Sequence, residues 1–306
     1  MRILFAGTPS TAASVLEGLL ASGHDVVAVL TREDAPTGRK KILTPSPVAE
    51  LASSKGIPTI KANSLSPDVL AEISSHQVVF AVVVAYGVIL KQEALDLLPK
   101  GWFNLHFSVL PKWRGAAPVQ RAIEHGDSST GVTLFKIDKG LDTGPIVGVL
   151  ETVIGPDENA GELLDRLSLL GLTLLNEQLP RLYAGTECLT EQVGEVTLAP
   201  KTSRADAKLV FSQPAKVLEN LVRAMNPEPM AWCLLGDQPM RVISARACAD
   251  DIDAHKTGSV VLVRDRILVS CANNTALELI EIQPASRNAM SAKDWFNGLT
   301  EAVNLS

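Results

Sequence analysis

Val78-Val79-Phe80-Ala81-Val82-Val83-Val84-Ala85-Tyr86-Gly87 is the stretch that decides the fold. An unbroken apolar run rich in β-branched residues, closed by a small-residue turn, reads as a strand buried on both faces. Such strands belong to parallel sheets covered by helices. A short helix is expected over residues 91–98, and a second strand begins near Trp102. Along it, the alternation of Asn104-Leu105-His106 puts Asn104 and His106 on one face. An amide and an imidazole side by side at a strand's end, followed by Ser108-Val109-Leu110-Pro111, mark a candidate site. Open parallel sheets take their ligands at the carboxyl ends of strands.

Upstream, residues 2–6 form a short apolar strand, Gly7-Thr8-Pro9-Ser10 a turn, and Ser10 is placed to cap a helix over 11–22. Gly23 ends that helix, and residues 25–30 give the next strand. This β-loop-α-β start sets the fold class as α/β, a Rossmann-like doubly wound sheet. The first turn is not G-x-G-x-x-G, so a tight turn is favoured over dinucleotide phosphate binding, and a nicotinamide dehydrogenase is disfavoured. Residues 31–47 make a connection far longer than the usual two to six or so residues. It carries Arg39-Lys40-Lys41, a candidate phosphate contact whose bland alternative is solvated loop charge. Ser46-Pro47 opens a helix through Ser54.

Beyond Pro111, the string Lys112-Trp113-Arg114-Gly115-Ala116-Ala117-Pro118 feeds a helix over 119–124. Residues 130–137 alternate like an antiparallel strand, and a turn with Asp138 and Asp142 leads to a strand over 146–153. A long helix within 159–182 carries a leucine stripe read as core. Residues 186–204 read as a linker between a catalytic domain, 1–185, and a second domain, 205–306. The latter opens with a helix over 215–225 and continues as short strands between turns, the pattern of a small OB-like β-barrel. Ser291 caps a last helix, expected over 292–302.

The 306 residues are 46% apolar and 20% charged, enough for a sizeable core. No apolar run reaches membrane-span length, and the first residues already read as a core strand, so a cytoplasmic protein without a leader is expected. A net charge of −6 argues against a generally basic nucleic-acid binder but leaves room for a local patch. Cys188, Cys233, Cys248 and Cys271 lack metal-ligand spacing and are expected as reduced core thiols.

Asn104-Leu105-His106, Ser108-Val109-Leu110-Pro111 and Asp142 together resemble the signature of the folate-dependent formyltransferases. Further stretches resemble the subgroup that formylates methionyl-tRNA. These are Phe5-Ala6-Gly7-Thr8-Pro9, the 36–47 loop, Arg114-Gly115-Ala116-Ala117-Pro118-Val119-Gln120-Arg121, Asn226-Pro227-Glu228-Pro229-Met230-Ala231-Trp232 and Gln283-Pro284-Ala285. The resemblance implies formyl transfer from 10-formyltetrahydrofolate to the amine of initiator methionyl-tRNA, by a monomer that needs no metal. It implies Asn104, His106 and Asp142 as the catalytic set: an oxyanion donor, a base, and a carboxylate that orients the imidazole and favours its charged form. Folate would lie between Ala85-Tyr86-Gly87 and Ser108-Val109-Leu110-Pro111, pairing with backbone groups while valine and leucine side chains pack its face. Arg39, Lys40 and Lys41 would meet tRNA phosphates, with Lys112 and Arg114 as weaker candidates. Asp138 is read as a turn acid. Taken singly, each catalytic candidate has an ordinary structural reading, and it is the constellation that points to function. An amino-sugar-nucleotide formyltransferase and a non-catalytic folate or tRNA binder are the alternatives.

Overall fold

Strand β1 (Ile3–Gly7), helix α1 (Ser10–Ala21) and strand β2 (Val26–Thr31) open the chain of this computed structural model, which describes residues 2–38, 40–248 and 256–306. Then follow β3 (Ala35–Thr37), β4 (Ile42–Thr44), α2 (Pro47–Ser54), β5 (Thr59–Lys61), α3 (Pro67–Ser75) and β6 (Phe80–Val84). Next come α4 (Gln92–Leu95), β7 (Trp102–His106), β8 (Arg114–Gly115), α5 (Pro118–His125), β9 (Ser129–Lys136), β10 (Ile146–Val153), α6 (Ala160–Ala184) and β11 (Leu198–Ala199). The chain divides into one unit of 1–118, 129–153 and 164–200, and another of 119–128, 154–163 and 201–306.

In the first unit the main sheet runs β10-β9-β7-β6-β1-β2-β5. The five strands from β5 to β7 are parallel, and β9 and β10 add antiparallel at the far end. Strand order runs outward from β1 in both directions, so the winding reverses between β1 and β6. That reversal is where such sheets open a ligand crevice. All five residues of β6 are buried, as its composition requires. Leu4, Ala6, Ala81 and Val83 face one apolar cluster with Ile73 of α3, while Ile3, Phe5 and Val82 on the opposite parity are equally buried.

Several expectations need correction. Ser10 is the first helical residue, not the cap; Pro9 holds the cap position and no side chain caps α1. Ser46, by contrast, caps α2 by accepting the Ala49 N–H at 3.0 Å, with Pro47 first in the helix. The antiparallel strand read into 130–137 forms as β9, antiparallel to both β7 and β10. Residues 130–135 are all buried, so β9 has no solvent face. The 31–47 connection is not featureless: β3 and β4 pair antiparallel as a ribbon, with Thr37 opposite Ile42. Cys188 is exposed rather than a core residue, whereas Cys233 and Cys271 are buried and Cys248 partly so; all four are free thiols. Among the described residues no helix is long and apolar enough to cross a membrane.

The second unit carries α7 (Ala215–Ala224), β12 (Trp232–Leu235), β13 (Gln238–Cys248), β14 (Val260–Val263), β15 (Arg266–Ser270), β16 (Ala276–Gln283), β17 (Met290–Ser291) and α8 (Ala292–Asn297). Its antiparallel sheet runs β12-β13-β16-β15-β14, with β17 on β16, and curls into a half-barrel around Leu218, Val222, Val242, Val269 and Leu279. The expected last helix stops early, at Gly298, because the chain's end is taken into the sheet. Leu305 bridges to Leu235 beside β12 and Asn304 to Ser259 before β14, joining the two free edges. Gly258 permits this: a Cβ there would lie 2.2 Å from the Leu305 carbonyl oxygen.

Candidate active site

Val83 of β6 pairs with Asn104 of β7, so the loops that follow these two parallel strands leave the sheet side by side. The first is pinned at Tyr86 and Gly87. The Thr8 hydroxyl donates to the Tyr86 carbonyl at 3.1 Å, Arg32 donates to the Gly87 carbonyl at 3.0 Å, and the Tyr86 hydroxyl donates to the Ala62 carbonyl at 2.8 Å. Burial pushes the Tyr86 phenol up to about 12 against the opposing pull of Arg32, so it stays protonated and structural. Tyr86 thus offers its backbone, not its ring, to the crevice, between exposed Ala85 and Gly87. The second loop is similar. Ser108 is fully buried and its hydroxyl donates to the Lys112 carbonyl at 2.6 Å; Leu110 and Pro111 are buried, and only Val109 is partly open. Thr133 shapes this loop from β9, donating to the Ser108 carbonyl at 2.7 Å and accepting the Leu110 N–H at 3.1 Å.

His106 ends β7 with its side chain 5% exposed. Its ring meets Phe135 edge-on, with centroids 6.4 Å apart. Nε2 lies 2.9 Å from the Trp113 carbonyl oxygen. A carbonyl can only accept, so Nε2 carries the hydrogen and the neutral ring presents its lone pair at Nδ1. Nδ1 faces Asp142 Oδ2 at 3.8 Å. That is too long for a hydrogen bond but close enough for strong attraction once Nδ1 is protonated. Burial pushes the imidazole below its ordinary 6.5, outweighing Asp142 and the Trp113 carbonyl, which both pull it up. The carboxylate favours the charged ring, as expected, but burial opposes it more strongly. Desolvation wins and leaves a neutral base.

Asp142 has φ +52° and Trp113 φ +62°, left-handed conformations that residues with a Cβ adopt only where the surroundings impose them. The surroundings here are specific. Asp142 Oδ2 accepts the Gly115 N–H at 2.8 Å, and Gly115 has φ +130°. A Cβ on Gly115 would lie 2.6 Å from the Ala199 carbonyl oxygen, so the approach of β11 to β8 requires glycine. The Trp113 carbonyl and the Gly115 N–H, two residues apart, thus hold the imidazole and the carboxylate. Neither was legible in advance, since every residue has a peptide group; Thr133, a hydroxyl among Val132, Leu134 and Phe135, left a faint signal.

Asn104 is partly exposed, and its side-chain amide makes no hydrogen bond among the described residues. It is a donor still to be used, on the strand that carries His106. Asp138 is the turn acid expected, accepting from the Gly140 N–H at 3.0 Å and the Thr143 hydroxyl at 2.6 Å. Arg114 is not a spare cation: its guanidinium is occupied by the Gln192 side-chain oxygen. Lys112 is exposed, as are Lys40 and Lys41 at the turn of the β3–β4 ribbon; Arg39 lies outside the described residues. Among the described residues no group of three His, Cys, Asp or Glu side chains is placed to hold a metal ion.

Comparison with known proteins agrees with this arrangement. Residues 1–179 match the formyl transferase family and residues 201–300 the formyl transferase C-terminal domain. The methionyl-tRNA formyltransferase of Paenarthrobacter aurescens is 44% identical over 299 residues, covering 98% of this chain and 97% of that one. That of Corynebacterium diphtheriae is 45% identical over 314 aligned positions, spanning both chains completely. Among solved structures, a Helicobacter canadensis N-formyltransferase in complex with folinic acid and dTDP-3-aminofucose superposes with a TM-score of 0.69 at 20% identity, over 93% of this chain and 99% of that one. A methionyl-tRNA formyltransferase from Clostridium thermocellum gives 0.56 at 17% identity, over 82% of this chain and 94% of that one. Those structural likenesses carry the fold, and the sequence identity carries the kinship: this chain belongs to the formyl transferase family, in the branch of the methionyl-tRNA formyltransferases.

Proposed function

We propose that this protein moves the formyl group of 10-formyltetrahydrofolate to the α-amine of methionine on initiator methionyl-tRNA. The observation that carries the chemistry is His106, buried and neutral, with Nε2 committed to Trp113 and Nδ1 free to take a proton 3.8 Å from Asp142. An aminoacyl amine titrates at about 8, so a base of modest strength suffices. As the amine nitrogen bonds to the formyl carbon, Nδ1 of His106 takes the proton the nitrogen sheds. The resulting imidazolium pairs with Asp142. Asn104 donates its amide N–H to the oxyanion that develops on the formyl oxygen. The bond from carbon to the folate nitrogen then breaks as that nitrogen takes up the proton held by the His106 imidazolium, and a formamide and tetrahydrofolate leave. The peptide edges of Ala85-Tyr86-Gly87 and of Ser108-Val109-Leu110-Pro111 are suited to a pterin's donor and acceptor edge, since their buried side chains are already committed.

For the acceptor, the support is the 44% identity with methionyl-tRNA formyltransferases over almost the whole chain. The fold alone does not choose, because sugar N-formyltransferases superpose on it as well. We assign residues 1–185 to catalysis, 186–204 to the connection and 205–306 to a barrel that holds tRNA, in a protein that acts as a monomer in the cytoplasm. Arg39, Lys40 and Lys41 meet the tRNA backbone. The test is transfer of labelled formyl from 10-formyltetrahydrofolate to purified methionyl-tRNA, alongside an amino-sugar nucleotide as competitor acceptor. Label on methionine supports the assignment, and label on the sugar alone overturns it.

A further inference from the structure

The peptide groups that hold His106 and Asp142 are themselves held by residues 190–199, a segment with exposed side chains at Glu191, Val193, Glu195 and Val196. Thr197 anchors the 113–115 stretch twice: its hydroxyl accepts the Trp113 N–H at 2.8 Å and its carbonyl the Arg114 N–H at 2.9 Å. The Ala199 carbonyl accepts the Ala117 N–H at 3.1 Å. Gln192, partly buried among exposed neighbours, does more. Its Nε2 donates both hydrogens, to the Asp142 carbonyl at 2.8 Å and the Gly144 carbonyl at 2.9 Å. Its Oε1 accepts from Arg114 Nε at 3.1 Å and Nη2 at 2.6 Å. One amide is thereby saturated, two donors and two lone pairs. It ties the backbone of the residue that bears the carboxylate to the residue between Trp113, which holds the imidazole, and Gly115, which holds the carboxylate.

We propose that Gln192 is a positioning residue for formyl transfer, fixing the Asp142 carboxylate opposite His106 by clamping the 142–144 turn to the 113–115 bridge. The left-handed conformation of Asp142 needs such a clamp, because an unfavourable backbone angle persists only where neighbours over-determine it. The proposal rests on the function assigned above, in which Asp142 receives the charge that forms on His106. The charged groups facing this cluster are His106 on β7, Asp142 in its turn and Arg114 on β8; Asp138 is spent within its own turn.

The experiment compares Gln192→Met, which removes all four hydrogen bonds at similar size, with Gln192→Glu, which keeps the acceptor for Arg114 but sets oxygens against two carbonyls. In both, kcat should fall on the order of a hundredfold, the scale of a displacement of about 1 Å at a catalytic group. KM for folate and for methionyl-tRNA should stay within about threefold, since ground-state binding is untouched. In Gln192→Met, which adds no charge, the His106 protonation midpoint, followed by NMR without any substrate, should move further down, because the carboxylate that raises it is withdrawn. Adding Gln192→Met to Asp142→Asn should cost nothing beyond Asp142→Asn alone. An unchanged kcat, an unmoved His106 midpoint, or losses that multiply in the double variant would overturn the proposal. If the parent protein transfers no formyl group, the assigned function fails, while the midpoint measurement still decides whether Gln192 sets the geometry. Should Gln192→Met not fold, Gln192→Leu carries the same readouts, since it too removes all four hydrogen bonds without adding charge.

Discussion

Strand β7 and the segment 190–199 serve the same site in opposite ways. β7 brings Asn104 and His106 to the crevice on a buried, registered strand, so chemistry and rigidity come from the same residues. The 190–199 segment brings no reacting group. It contributes a two-residue strand, one hydroxyl, one amide and a few carbonyls, and shows most of its side chains to solvent. Chemistry is carried by side chains whose identity can be read in a sequence. Geometry is carried largely by peptide groups, which every residue possesses and which only the fold assigns to partners.

If that division is right, damage on the two sides should differ in kind. His106→Ala removes chemistry and should lower kcat/KM by about 10²- to 10⁴-fold while 10-formyltetrahydrofolate still binds, as titration calorimetry would record. Asn104→Ala should cost about 10²- to 10³-fold, again with binding intact. Lost folate binding in either variant would mean that the strand end serves affinity rather than reaction. Gly115→Ala removes geometry alone. It forces a Cβ against the Ala199 carbonyl and a residue with φ +130° into strain, at a cost on the order of 1–3 kcal/mol in urea unfolding. Activity per folded molecule should fall about tenfold or more, because the donor to Asp142 moves with it. Stability lost with full activity per folded molecule would separate this bridge from catalysis. The smallest effect belongs to the ribbon. Lys40→Ala should raise KM for tRNA a few-fold and reduce the salt dependence of binding by about one ion, leaving folate use unchanged.

The legible part of this protein follows from that contrast. The doubly wound sheet could be read because Val78–Val84 has no polar residue to give it a solvent face, and because Gly23 and Ser46-Pro47 punctuate their helices by local rules. The antiparallel half-barrel could be read from short strands between turns, though not that residues 303–306 would bridge its edges, which depends on a partner distant in sequence. Strand β9 could be read as antiparallel, but not its burial on both faces, since alternation reports residue chemistry and burial reports what packs above and below the sheet. At the site, Asn104 and His106 were nameable from type and spacing, and Asp142 from the family resemblance. The tautomer of His106 was not, since it depends on the Trp113 carbonyl. Nor was the sign of its titration shift, which weighs burial against a carboxylate and needs the distances. Gln192 sat in a polar stretch without periodicity, where nothing local distinguishes a clamp from a linker.

Buried His106 is neutral at physiological pH, with its hydrogen on Nε2 and its lone pair toward Asp142. Nitrogen-15 NMR of histidine-labelled protein, with His106→Gln to assign the resonance, reads both features at once across a pH titration. The expected spectrum shows the Nε2–H tautomer at pH 7 and a protonation midpoint below the ordinary 6.5, where burial puts it. A ring already charged at pH 7, or one whose hydrogen sits on Nδ1, would contradict it.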